Sequence, residues 1–241
     1  MVKLLNVLIA DDDIDYAINL MNYINENNTI VRVCSIAKDG QKTLDILNDD
    51  NNIDIILLDY QMPIYNGEEI LEKIENKEKY ADSCIVISGE VESALRLRQC
   101  DLVHSILFKT LSMEEIKRKI LQLVEYKEDI RKDEMIDKKI LDEVLYLGYD
   151  VSHKGTKYLV EAVKYVFNDE YSLDNLEKFV YPIIAKKYHD TSYNIKSRIH
   201  KETNLMYYNC EIRKLKSYFK MDLDMKPRIK TVITMIINNI E

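Results

Sequence analysis

Apolar and polar positions follow two different rhythms along the 241 residues. In the first half, short apolar runs alternate with amphipathic stretches. The runs are Leu4–Ala10, Ile30–Ala37, Ile53–Leu58, Cys84–Ser88 and Val103–Phe108. Each is rich in aliphatic side chains, the pattern of strands covered on both faces of a parallel sheet. Between them lie the helix-length segments Ile14–Glu26, Gln41–Asn48, Glu68–Asn76, Val91–Gln99 and Ser112–Asp129. Five strands alternating with five helices predict a doubly wound α/β domain with a five-stranded parallel sheet.

After about Glu128 the alternation stops and helical spacing takes over. Ile136, Ile140, Leu141, Val144, Leu145 and Leu147 form an apolar stripe that Gly148 ends. Further stripes run through Tyr158–Phe167, Leu176–Tyr188, Asn194–Thr203, Tyr207–Phe219 and Ile229–Ile240. The expectation is an α/β domain over 1–126, a charged and partly helical linker over 127–134, and an all-α domain over 135–241.

Composition sharpens this division. Only 5 glycines and 3 prolines occur, so helix should dominate and little low-complexity sequence is expected. No run of about 18 apolar residues could span a membrane, and Met1–Ala10 lacks the parts of a secretion signal. A cytoplasmic protein with no membrane partner is expected. Cys34, Cys84, Cys100 and Cys210 form no CxxC pair, which argues against a zinc site or a disulfide framework. The net charge of −8 hides an asymmetry: residues 1–130 carry a net −11 and residues 131–241 a net +3. Lys186 to Lys230 alone hold 12 basic and 5 acidic residues, so the two halves should meet different partners.

Ligands of doubly wound sheets bind beyond the carboxyl ends of the strands. Those ends carry Asp11, Asp12 and Asp13 after the first strand, Asp59 after the third, Ser88 after the fourth and Lys109 after the fifth. Carboxylates converging on one edge repel one another unless a cation lies among them, and hard oxygen ligands suit Mg²⁺. A carboxylate so placed can act as a nucleophile toward a phosphoryl donor, while a lysine pairs with the transferred group. Any one of these aspartates alone could equally be a turn or helix cap, as Asp13 is expected to be.

The ordered set resembles the receiver domains of response regulators. The resemblance covers residues 1 to about 125 and rests on Val7-Leu8-Ile9-Ala10-Asp11-Asp12, Leu57-Leu58-Asp59-Tyr60-Gln61-Met62-Pro63 with Gly67, Ile87-Ser88-Gly89 and Phe108-Lys109. It implies a flavodoxin-like fold with Asp59 as phosphoacceptor. Mg²⁺ would be held by Asp11, Asp12, Asp59 and the backbone carbonyl of Gln61, and Ser88 and Lys109 would contact the phosphoryl group. The phosphoryl donor would be a histidine kinase or phosphotransferase. Two positions depart from the family: Thr110 replaces the proline that follows the lysine through a cis bond, and Ile106 replaces the aromatic switch residue. A cis bond without proline costs about 2.5–4 kcal/mol, so a strained or differently shaped loop is expected.

In the second half, Lys154-Gly155-x-x-Tyr158-Leu159-x-x-Ala162 and Tyr181-Pro182-x-Ile184-Ala185-Lys186-Lys187-Tyr188 resemble the effector domain of the stage-zero sporulation protein A family. That likeness spans about 136–240 and is strongest up to Tyr188. It implies a transcription factor of a phosphorelay in sporulation control, homodimeric when phosphorylated and bound to tandem sites on double-stranded DNA. The residues read independently agree on a helix-turn-helix: helix Leu176–Tyr188, the polar turn His189-Asp190-Thr191-Ser192, and helix Tyr193–Thr203 capped by Thr191 or Ser192. Ile195 and Ile199 would face the core. Tyr193, Asn194, Lys196, Ser197, His200 and Lys201 would face outward, and Lys186, Lys187, Arg198, Arg213, Lys214 and Lys216 could meet phosphates. A basic helical face can also be merely solvated, and His200 could be a phosphate contact or inert. Tyr207, Tyr208 and Phe219 are expected in the core. The reading positions depart from the family, holding Asn194, Lys196, Ser197 and His200 in place of its arginine and glutamate.

The function expected is therefore a phosphorylation-controlled, non-enzymatic DNA-binding regulator. The alternative is a divergent paralogue that acts by protein contact or as a phosphoryl sink without reading DNA. A phosphoaspartate-type phosphatase is disfavoured, since no second acid/base group accompanies the acidic cluster.

Overall fold

The structure is a computed structural model and describes residues 4–26, 30–49, 52–89, 94–220 and 225–241. It divides into two compact units, Met1–Glu128 and Asp129–Glu241.

In the first unit, β1 (Leu5–Ala10), β2 (Val31–Ala37), β3 (Ile55–Asp59), β4 (Cys84–Ser88) and β5 (Val103–Phe108) form a parallel sheet in the order β2-β1-β3-β4-β5. The order reverses at β1, so the crevice beyond β1 and β3 is the topological switch point. Alternate residues of β1 enter opposite cores: Leu5, Val7 and Ile9 join one buried cluster and Leu8 and Ala10 another. Burial on both faces explains why the runs read as continuously apolar. Helices α1 (Ile14–Asn25), α2 (Gly40–Asn48) and α3 (Gly67–Lys73) begin behind side-chain caps from Asp13, Asp39 and Asn66. Residues 91–93 of the expected helix Val91–Gln99 lie outside the described residues; the remainder is helical at 94–95 and 3₁₀ over Arg96–Gln99.

The expected helix Ser112–Asp129 and the stripe at Ile136–Leu147 are one helix, α4 (Met113–Tyr146). Residues 127–134 are helical throughout, because this charged stretch holds neither glycine nor proline to break the backbone hydrogen-bond ladder. Gly148, at φ +87°, ends the helix: its N–H donates to Leu145 and that of Tyr149 to Val144.

The second unit continues with α5 (Lys154–Asn168), α6 (Leu176–Phe179), α7 (Tyr181–Lys187), α8 (Ser192–Asn209), α9 (Ile212–Phe219) and α10 (Ile229–Ile240). Two expected helices are divided differently. Leu176–Tyr188 breaks at Val180, since Pro182 cannot donate to the preceding turn and instead sits in the first turn of α7. Tyr207–Asn209 extend α8, and the chain turns at Cys210 before α9. The core gathers Ile140, Val144 and Leu147 with Leu159, Ala162, Ile195, Ile199, Val232 and Ile236. Phe219 lies in this core and Tyr207 packs against it, whereas Tyr208 is exposed. Gly155 marks a close helix approach: a Cβ there would stand 2.5 Å from the Arg198 carbonyl oxygen of α8.

Candidate functional site

The strand ends of the sheet bring the expected acidic set together. Asp11 leaves β1 at 2% exposure and Asp59 closes β3 at 4%. Asp12 beside them is exposed. Each of the three offers a carboxylate oxygen, all lying within 4.8 Å of one another. Lys109, following β5, reaches into the group, its Nζ 2.7 Å from Asp59 Oδ2 and 3.0 Å from Asp11 Oδ2. Ser88 is fully buried at the end of β4, and its carbonyl accepts the Lys109 backbone N–H at 3.0 Å.

The backbone holds the carboxylates in place. The Asp13 N–H donates to Asp11 Oδ1 at 2.9 Å, and the Gln61 N–H donates to Asp59 Oδ1 at 3.2 Å. Asp13 itself caps α1 by accepting from the Tyr16 N–H. Gly67 allows the loop after β3 to fold tightly: its N–H donates to the Tyr60 carbonyl, and a Cβ would meet the Asp59 carbonyl oxygen at 3.2 Å. Among the described residues no peptide is cis, and Lys109 reaches both carboxylates with Thr110 following it. Ile106 packs half-buried against the core on one side of the sheet.

Burial dominates the electrostatics. It raises the pKa of Asp59 and of Asp11, while hydrogen bonds from Lys109 and from backbone N–H groups oppose the rise. Burial also disfavours the Lys109 charge, but its bonds to Asp59 and Asp11 outweigh that and raise its pKa. The site is thus a nearly dry pair of carboxylates tied by one ammonium group. It holds excess negative charge and hard oxygen donors.

In the second unit, α7 and α8 flank a short turn. His189 adopts a left-handed conformation (φ 50°), and the Asp190 N–H returns to the Ala185 carbonyl at 2.9 Å. Thr191 caps α8 by accepting from the Asn194 N–H, so Ser192 is the first residue of the helix. Ile195 and Ile199 are buried, while Tyr193, Ser197, His200 and Lys201 are exposed. Several other expected contact residues are engaged within the fold. Asn194 donates to Asp190 at 2.7 Å, Lys196 pairs with Glu177 at 2.6 Å and Lys187 with Glu161 at 2.7 Å. Arg198 lies over the Tyr158 ring, 3.5 Å from Asp190. Lys186 is exposed on α7. Burial lowers the His200 pKa, and the nearby Lys226 and Lys196 lower it further.

Two family models match this chain. Residues 7–121 match the response regulator receiver domain, and residues 140–240 match the C-terminal domain of the sporulation initiation factor Spo0A. The chain is a response regulator of the Spo0A type. Solved receiver domains resemble its first half. The receiver domain of Francisella response regulator 1452 is 24% identical over 51% of this chain and 98% of its own, with a TM-score of 0.44. That of AraT from Geobacillus stearothermophilus is 24% identical over 54% and 99%, at 0.45. A CheY-like receiver from Methanospirillum hungatei is 19% identical over 53% and 98%, at 0.46.

Two side chains of this response regulator had not stood out in the sequence. Tyr16, one turn into α1, places its ring 5.5 Å from Lys109 Nζ, and its buried hydroxyl has no partner among the described residues. Its position three residues after Asp13 is the signal the sequence offers. Asp190 organises the turn between α7 and α8, accepting from Asn194, from the Thr191 N–H and from the Tyr158 hydroxyl at 3.0 Å. Tyr158 lies far away in sequence, and no local pattern connects the two.

Proposed function

We propose that Asp59 accepts the phosphoryl group in this phosphorylation-controlled regulator, and that the Tyr193–Lys201 face of α8 reads duplex DNA. The observation carrying the first part is Lys109 spanning Asp59 and Asp11 at the switch point of the sheet. An Asp59 carboxylate oxygen would attack the donor phosphorus. The new P–O bond forms as the bond to the leaving group breaks, and the leaving group departs with the electron pair. Lys109 favours the ionised nucleophile beforehand and can pair with a phosphoryl oxygen afterwards, while the Ser88 hydroxyl can donate to another.

The donor set fits Mg²⁺. Asp11, Asp12, Asp59 and the Gln61 carbonyl would hold it, since they supply hard oxygens around a charge that Lys109 alone does not neutralise. When bound, the ion would offset the negative charge of the transferred group. Histidine kinases or phosphotransferases are the matching donors, because phosphohistidine presents a phosphoryl group to a carboxylate. Among the described residues no helix is long and apolar enough to cross a membrane. A cytoplasmic setting suits both proposed partners, the kinase and duplex DNA.

The DNA reading rests on the Spo0A C-terminal match and on the exposed Tyr193, Ser197, His200 and Lys201 of α8. Lys186 and Lys187 stand at the end of α7, just before the turn into α8, and Asn194 and Lys196 complete the reading face once DNA competes for their present partners. Site selection from a random duplex pool, with and without acetyl phosphate and Mg²⁺, tests the whole reading. Enrichment of one sequence, bound more tightly after phosphorylation, is expected. Equal affinity of wild type and Asp59→Ala under phosphorylating conditions would remove the phospho-switch. No enriched sequence, together with capture of a second receiver protein, would favour action by protein contact instead.

A further inference from the structure

A strongly basic recess of the second unit lies beside the exposed face of α8. A groove of about 770 Å³ is lined by Lys196 and His200 of α8, by Lys226, Arg228 and Lys230 around the start of α10, and by Asp174 and Glu177 opposite. Four permanent cations thus face two carboxylates. Glu177 is already paired with Lys196. Lys226 bonds the Asn204 side chain and Lys230 the Asp174 backbone carbonyl, both neutral partners, and neither ammonium group has an ion pair among the described residues. Arg228 is exposed, and its guanidinium has no ion pair or hydrogen bond among the described residues. Lysine and arginine so gathered repel one another, and a row of anions entering the groove relieves that repulsion.

The groove is continuous with the proposed reading surface. Lys196 and His200 belong both to it and to a shallower recess formed with Tyr193, Ser197, Lys201 and Asn204. A duplex whose bases meet that recess must run one of its backbones along one flank of α8. Phosphate contacts of this kind make up half or more of the hydrogen bonds in protein–DNA interfaces. We propose that Lys226, Arg228 and Lys230 form a second contact with the phosphate backbone of duplex DNA, flanking the bases read by α8. This inference rests on the DNA reading above and names residues from a part of the chain that the helix-turn-helix does not include. It also gives the late basic stretch a role beyond a solvated face.

The test uses the full chain and two labelled duplexes, one selected and one of mixed sequence, titrated at NaCl concentrations from about 50 to 200 mM. Arg228→Ala and the double change Arg228→Ala/Lys230→Ala are compared with wild type and with Lys157→Ala, an exposed lysine on α5 outside the groove. The expected result is a loss of about 3- to 10-fold per residue at low salt, equal for both duplexes. The slope of log affinity against log salt should fall by about one per contact removed. Lys157→Ala should change neither. Unchanged affinity and slope in the groove variants would overturn the proposal, and so would a loss confined to the selected duplex, which marks base reading. A wild type that binds neither duplex would overturn the DNA reading itself and this contact with it. Matching circular dichroism spectra separate these outcomes from misfolding.

Discussion

At the scale of the residue, the receiver site is built from groups that would be more stable elsewhere. Asp11 and Asp59 are buried, and burial raises the proton affinity of both. The sign of the consequence follows from linkage. A carboxylate whose folded pKa exceeds its unfolded value of 3.8 binds protons more tightly when folded. Its favourable contribution is complete below that value and is lost as pH rises through the folded pKa. At neutral pH, without a cation, the charge at Asp11 therefore opposes folding. Asp11→Asn should raise the melting temperature of the metal-free protein at pH 7 by about 2–5 °C, the shift that roughly 1 kcal/mol produces in a unit of this size. It should also flatten the loss of stability as pH rises above 3.8 through the folded pKa, and weaken the stabilisation that millimolar Mg²⁺ brings to wild type. Differential scanning calorimetry with and without Mg²⁺ measures all three. A lower melting temperature in the variant would show that the Lys109 bond outweighs the buried charge.

At the scale of the element, α8 is a helix held from several sides. Thr191 caps it, Asp190 braces its first turns through Asn194 and Arg198, and α5 presses on it at Gly155. The contact at Gly155 leaves no room for a methyl group, since its Cβ would come within 2.5 Å of backbone that cannot rotate away. Gly155→Ala should gain a little helix propensity and lose more by forcing α5 and α8 apart, a net cost of about 1–3 kcal/mol. Urea denaturation followed by circular dichroism would register it, and equal or greater stability would mean that the crossing is looser than these distances indicate. The same crossing ties the orientation of α8 to the fold, because its buried Glu202 accepts from His153 at 3.0 Å, just before α5.

At the scale of the whole molecule, a receiver and a Spo0A-type domain share one chain, and phosphorylation must alter how the second meets DNA. Pairing of two chains is the simplest route, since two helix-turn-helix units then span adjacent half-sites. Light scattering after gel filtration should show the mass doubling with acetyl phosphate and Mg²⁺ in wild type and not in Asp59→Ala; a monomer in both would direct attention to intramolecular control. The sequence by itself determined the kinds of element and their order. Strand and helix periods are local properties, and buried parallel strands must read as unbroken apolar runs. It also determined that Asp11, Asp12, Asp59, Ser88 and Lys109 lie at one sheet edge, because every strand of a parallel sheet points its carboxyl end the same way. Only the tertiary structure decided that Asn194, Lys187 and Lys196 have partners within the fold. It alone set Arg228 and Lys230 beside His200. These depend on which distant residues packing brings within a few ångströms, and no local period records that.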